Sequence, residues 1–242
     1  MPVAAAKTLT RPTVFDGQAN ALVSAMPASA RTLLVVCAVA LSMAGTTSCT
    51  HTVTGNAVRS APGFDDESRS PVDVDHVLLE QSQMRAITGA GQDLTVIPSM
   101  DGKLPVDIDL MADAVPPPCR WYFAETQTFG PDVEEFHKTT YQDPPEGALI
   151  SQGAAAYRDP GTARRTFDGL VKLMDQCAST PIGPTLVGER TATDDSVQTR
   201  TGNRCGRDYR LKSVVLVEVT FCTFPDSVPD IVMTNIMEKV PG

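Results

Sequence analysis

Residues 205–222 read Cys205-Gly-Arg-Asp-Tyr-Arg-Leu-Lys-Ser-Val-Val-Leu-Val-Glu-Val-Thr-Phe-Cys222. From Val214 to Phe221 the chain alternates with a period of two. Val215, Val217, Val219 and Phe221 share one face, while Glu218, Thr220 and Cys222 share the other, so the segment predicts a strand. If Cys205 to Leu211 folds back against it across a turn near Ser213, Cys205 falls opposite Cys222, a placement that a disulfide can bridge. Arg207 then shares a face with Cys205 and Tyr209, and cross-strand pairing with Glu218 is its ordinary use.

Outward from this hairpin, further elements are predicted. The clearest helix lies between Gly161 and Cys177, where Ala163, Phe167, Leu170, Val171 and Met174 recur at helical spacing and Asp159-Pro160 mark the start. A helix from Val74 to Ile87 and a terminal helix from Ser227 to Lys239 are expected. Strands are expected at Trp121 to Thr126, Ala148 to Tyr157, Thr185 to Glu189 and Ser196 to Thr201. Pro131 to Thr140 predicts a short helix, and Leu94 to Pro118 an irregular stretch stiffened by Pro116-Pro117-Pro118. Strands in hairpin order with separate helices argue for an α+β domain on an antiparallel sheet.

Of six cysteines, Cys37 lies in an apolar run, Leu33 to Ala44, that is too short to span a bilayer and fits the core of a secretory signal. Met26 is a candidate start for a tidier signal. Thr46-Thr47-Ser48-Cys49 resembles the lipobox of bacterial lipoproteins, with Thr46 where Leu is usual, and Cys49-Thr-His-Thr-Val53-Thr-Gly55-Asn-Ala57 is similar to the opening of mycobacterial lipoproteins. The resemblance implies removal of residues 1–48 and lipidation of Cys49, which would anchor the protein on the outer face of the cell membrane. Residues 49–73, rich in Ser, Thr, Gly and Asp, are read as a tether, and 74–242 as the domain. Cys119, Cys177, Cys205 and Cys222 remain. An even number in an oxidising compartment argues for two disulfides. Three pairings are open in principle; the hairpin favours Cys205 with Cys222 and leaves Cys119 with Cys177. The absence of any Cys-x-x-Cys or Cys-x-x-His pair argues against zinc.

The length of 242 residues suits one domain plus targeting segments. A formal charge of −9 with only 5% aromatics argues against nucleic acid, whose phosphates an acidic surface repels. Among the histidines, His51 falls in the tether and His76 near the domain start, so only His137 could serve a structured site, and no Gly-x-Ser-x-Gly elbow accompanies it. Asp107, Asp109 and Asp113 have spacing like a calcium loop but lack its glycine, Ala112 standing there, and its closing glutamate. Arg204, Arg207 and Arg210 form a basic cluster that could hold an anion. Neither a metal nor a cofactor is expected.

The order Pro117-Pro118-Cys119, Tyr157, a helix ending at Cys177, Arg204-Cys205, Val214-Val-Leu-Val-Glu-Val219, Phe221-Cys222 and a helix running to Glu238-Lys-Val-Pro241 resembles the extracellular sensor domain of PknH-type mycobacterial kinases, which also occurs alone in lipoproteins. Members often carry Trp where this chain has Met174. The resemblance implies an α+β fold, two disulfides paired as above, and a central cleft for an unidentified ligand whose contact residues the sequence does not name. No kinase motif is present. The expected function is a non-catalytic, ligand-binding or sensing envelope lipoprotein. The alternatives are a module docking another envelope protein, and a hydrolase built on two carboxylates.

Overall fold

The computed structural model describes residues 70–202 and 204–242. Cys37, Cys49, His51 and the expected signal and tether up to residue 69 lie outside the described residues.

Seven strands form one antiparallel sheet: β1 (Thr95–Gly102), β2 (Glu135–Asp143), β3 (Ala148–Ala156), β4 (Glu189–Ala192), β5 (Ser196–Thr201), β6 (Cys205–Lys212) and β7 (Val215–Cys222). Their spatial order is β1-β2-β3-β7-β6-β5-β4. Two meanders, β1 to β3 and β4 to β7, are therefore joined at the centre, where β3 pairs with β7. The chain passes between them through one long helix.

The alternation in residues 214–221 has the predicted consequence. Val215, Val217, Val219 and Phe221 of β7 and Ile150 and Ala154 of β3 are fully buried on one side. Helices α1 (Val74–Val77), α2 (Gln81–Thr88) and the terminal α7 (Ser227–Lys239) cover that side. The last turn of α7 receives Lys212, whose ammonium donates to the carbonyls of Met237 and Val240 at 3.0 and 2.6 Å, a favourable charge at a helix C-terminus. On the opposite side, α5 (Pro160–Ala178) buries Ala163, Phe167, Leu170, Met174 and Cys177. Asp159 caps its start, accepting from the Thr162 amide at 2.9 Å.

Both disulfides form with the expected partners, Cys119–Cys177 and Cys205–Cys222. The second joins directly opposed residues of β6 and β7.

Five local expectations are corrected. The helix over Val74 to Ile87 breaks in two at Leu78-Leu79, because the buried Gln152 amide bonds both backbone groups of Leu79, at 2.8 and 2.6 Å, as a neighbouring strand would. The irregular stretch contains β1 and a short α3 (Asp109–Asp113); Pro98 inside β1 is tolerated because the strand is an edge, paired only with β2 across a register shift. Trp121 to Thr126 is no strand. A 3₁₀ helix, Pro117–Tyr122, opens on proline and brings Cys119 to Cys177, and α4 (Glu125–Phe129) follows. The expected helix at Pro131 to Thr140 is instead the start of β2, whose alternation is hidden because both faces are covered. Near Thr185, α6 (Gly183–Leu186) precedes β4, and the chain turns at Gly188, with φ +60° and the Arg200 carbonyl oxygen where a Cβ would stand.

Candidate functional site

The register lines up side chains in rows across the face that carries α5. One row is apolar, Phe136, Ala155, Leu216 and Leu211, and it belongs to the core beneath α5. The next is Lys138, Gly153, Glu218, Tyr209 and Val197. A third is Thr140, Ser151, Thr220, Arg207 and Thr199. From these two rows Lys138, Thr140, Ser151, Thr220 and Arg207 form the floor of a hollow of about 530 Å³, with Glu218 buried directly beneath them. Its walls are Trp121, Tyr122 and Phe123, and its rim is Met100 of β1 with Leu104, Val106 and Ile108 of the loop that follows.

At the floor, Glu218 is 1% exposed in a position where a lone carboxylate would be costly. It is fully bonded. Lys138 donates to Oε2 at 2.8 Å, Tyr209 and Thr220 hydroxyls donate to Oε1 at 2.8 and 3.1 Å, and the Arg207 guanidinium lies 3.5 Å from Oε1. Burial pushes the carboxyl upward, but Lys138 and Arg207 outweigh it and hold it at about 2. Lys138 sits two strands away and reaches Glu218 by laying its stem over Gly153, where the Lys138 Cγ is 3.4 Å from an added Cβ position. Its ammonium also meets Glu125 of α4 at 2.8 Å. Burial opposes the charge on Lys138, yet Glu218 and Glu125 raise its affinity for the proton.

Arg207 stacks over the Tyr122 ring at 3.9 Å and donates to the Tyr122 carbonyl at 2.9 Å, while its Nε, buried, has no partner. The predicted pairing of Arg207 with Glu218 is present. The rest of the basic cluster is dispersed, since Arg210 pairs with Val217 on the other face and Arg204 sits in a turn, donating to the Thr223 carbonyl at 2.9 Å.

The aspartate trio is also dispersed. Asp107 accepts from the amide and hydroxyl of Thr126, at 3.0 and 2.6 Å, and so fastens the rim loop to α4; Asp109 opens α3, and Asp113 pairs with Arg120 at 3.2 Å. No cluster suited to a metal occurs among the described residues. His137 stands on β2, on the face away from the hollow, with Nδ1 2.8 Å from Asp75 and Nε2 2.9 Å from Asp101. The Thr139 hydroxyl donates to Asp101 at 3.0 Å. Both ring nitrogens are engaged by carboxylates, which makes His137 a tie between α1 and β1. The His76 ring meets Asp73 at 2.8 Å on the surface.

Sequence reading missed Lys138, Glu125 and the aromatic wall. The available signal was Lys138 in phase with Phe136 and Thr140, visible only once residues 135–143 are read as a strand.

Residues 70–239 match the PknH-like extracellular domain family. Among solved structures, the extracellular domain of PknH from Mycobacterium tuberculosis superposes with a TM-score of 0.52 at 14% identity, covering 71% of this chain and 97% of that one. That likeness establishes the common fold. No curated protein matches the chain. No described helix is long and apolar enough to cross a membrane. With the family matched over most of its length, the chain belongs to the PknH-like extracellular domain family.

Proposed function

We propose that this protein is a non-catalytic envelope lipoprotein, anchored through Cys49, whose domain binds or senses a ligand in the hollow above Lys138, Glu218 and Arg207. The observation that carries this reading is the floor itself. A fully bonded ion cluster has been buried beneath an open space of about 530 Å³, a size usual for small-molecule sites. Structural ion pairs of this kind are expensive to desolvate and seldom stabilise better than apolar packing does, so their use below a cavity favours a site over a scaffold.

Catalysis is disfavoured by the same geometry. Glu125 and Glu218 are joined through the Lys138 ammonium, and Glu218 is held ionised, so it cannot serve as a general acid at neutral pH. The hydroxyl beside His137, that of Thr139, donates to Asp101 at 3.0 Å and lies 3.3 Å from Nε2, which Asp101 also holds at 2.9 Å. A second reading, docking of another envelope protein, is supported by the exposed apolar rim at Met100, Leu104, Val106 and Ile108.

Native mass spectrometry of the chain released from membranes tests the proposal. We expect an N-terminal lipidated Cys49 and a small-molecule adduct that is absent from Ser151→Phe, which fills the hollow. A bare protein whose spectrum Ser151→Phe leaves unchanged would refute the ligand site, and an unlipidated N-terminus would refute the anchor.

A further inference from the structure

We infer that the ligand of this hollow is an uncharged single-chain amphiphile, with its hydrocarbon along the rim and aromatic wall and a hydroxyl-bearing head over Thr140, Ser151 and Thr220. The inference rests on the ligand-site reading above and adds the chemical class.

Charge decides the head. Two cations, Lys138 and Arg207, face two carboxylates, Glu125 and Glu218, with the contacts among them already made at 2.8 to 3.5 Å, and the further acid of the lining, Asp101, is held by His137 at 2.9 Å and the Thr139 hydroxyl at 3.0 Å. An anionic head would place a third negative charge on two cations already engaged. A cationic head would do the reverse. Either leaves an uncompensated charge in a poorly solvated space, whereas a neutral head leaves the set balanced. The floor also offers what such a head uses: the Thr140 and Ser151 hydroxyls, 2.9 Å apart, can reorient toward a ligand oxygen.

Surface character decides the rest. Met100, Leu104, Val106 and Ile108 are 50% to 77% exposed at the mouth, a contiguous apolar edge that a hydrocarbon chain covers and a sugar does not. The aromatic face most suited to stack on a sugar, Tyr122, is occupied by the Arg207 guanidinium at 3.9 Å. The hollow thus grades from carbon at its mouth to balanced polar groups at its base, the same order as in an amphiphile.

The sole tryptophan of the chain, Trp121, lies in the wall and reports on occupancy. The full chain carrying Cys49→Ser, and so free of its own lipid, is stripped of bound lipid on a hydrophobic resin. It is then titrated with monomyristoylglycerol, myristate and myristyltrimethylammonium while Trp121 emission is followed. We expect saturable binding of monomyristoylglycerol, about tenfold or more tighter than either charged analogue, the scale of one unbalanced partly buried charge. The paired Leu104→Ser and Ile108→Ser substitutions, at exposed positions that leave folding intact, should weaken it about tenfold through loss of apolar burial. Equal or tighter binding of a charged analogue would overturn the neutral-head assignment. No response to any of the three would overturn the amphiphile assignment. The hollow itself survives that result if membrane-derived protein carries a hydrophilic or charged adduct lost in Ser151→Phe, and falls with it if no such adduct exists.

Discussion

The two faces of the sheet each bury an acid, and they treat it in opposite ways. Beneath α7, Asp208 faces the Arg200 guanidinium, with the Gln198 amide 3.4 Å away. Burial dominates there and pushes the Asp208 carboxyl above its ordinary value, Arg200 only partly opposing it. On the hollow side, Glu218 is at least as buried, but two cations and two hydroxyls converge on it and its proton is displaced down to about 2. Number of partners, and not depth, separates them. The closed face sets its buried acid in apolar packing with a single guanidinium, its His137 ion pairs lying out at the β1–β2 edge. The open face devotes two rows of strand residues to polar groups, and it alone carries both disulfides, Cys119–Cys177 and Cys205–Cys222. A face with a hole in its cover has been stapled where its hydrophobic contacts are interrupted.

The largest expected effect breaks this asymmetry directly. Glu218→Gln leaves Lys138 and Arg207 facing each other without their shared counter-ion, and should cost about 3 to 5 kcal/mol of unfolding free energy at neutral pH. Asp208→Asn should cost about 1 kcal/mol, since Arg200 is partly exposed and can turn to water and Asp226. The pH dependence differs in sign as well. Because the Asp208 value is raised on folding, its contribution falls as pH rises from the unfolded value of about 4 through the folded one. Chemical denaturation of the two variants at neutral pH checks the contrast, and equal costs would show that the faces are energetically alike.

Removing the staples comes next. By chain entropy, replacing both cysteines of Cys119–Cys177 with serine should cost about 4 kcal/mol, and those of Cys205–Cys222 about 3 kcal/mol. If the open face depends on them, hydrogen exchange in either variant should accelerate in residues 117–129 and 205–211 before it does in α7. Uniform acceleration would mean that the two faces unfold as one unit.

Two glycines offer a smaller test of packing. Gly206 lies on the closed face, where an added Cβ would come within 2.7 Å of the Phe221 ring and 2.6 Å of the Thr199 carbonyl oxygen. Gly153, on the open face, would bring its Cβ no nearer than 3.4 Å to the Lys138 stem. Gly206→Ala should therefore destabilise by about 1 to 3 kcal/mol and Gly153→Ala by less than about 1 kcal/mol. Melting temperatures of the two variants check this, and a reversed order would place the tighter packing under the hollow.

Much of the framework around the hollow is legible in the amino acids because its signals are strong. Val215, Val217, Val219 and Phe221 recur at every second position, and the helix after Asp159-Pro160 carries an apolar stripe from Ala163 to Cys177. The cysteine pairing follows once the hairpin is recognised. The hollow is harder to read, and for physical reasons. Its floor residues come from β2, β3, β6 and β7, and only the register brings Lys138 beside Glu218 across the vacant Gly153. β2 itself is covered on both sides, so Phe136 and Tyr141 point to opposite faces and mimic helical spacing. The rim strand contains Pro98, which ordinarily marks a break. Trp121-Tyr122-Phe123 has the composition of a strand, but the proline ahead of it and the reach to Cys177 impose a tight helix.

The smallest expected effect concerns the tie at His137, which joins α1 to the edge strand behind the rim. Lys103 lowers the Asp75 carboxyl and His137 adds to this; at Asp101 His137 is the leading cause and Thr139 assists, burial opposing in both. Both folded values are depressed, so the stability they contribute is complete above the unfolded value of about 4 and is lost as pH falls through the folded ones. The side chains are 40% and 44% exposed, so solvent screens the contribution, and His137→Asn should cost less than about 1 kcal/mol at neutral pH. Glu218 keeps its charge down to about pH 2. Between these limits the edge should loosen while the floor holds, giving faster exchange of β1 amides in acid and a Trp121 emission that is unchanged. In His137→Asn the β1 acceleration should already be present at neutral pH and depend less on acid. If Trp121 responds at the same pH as β1, the floor and the edge titrate together, and the ion cluster at Glu218 is not the independent, self-balanced unit on which the ligand assignment depends.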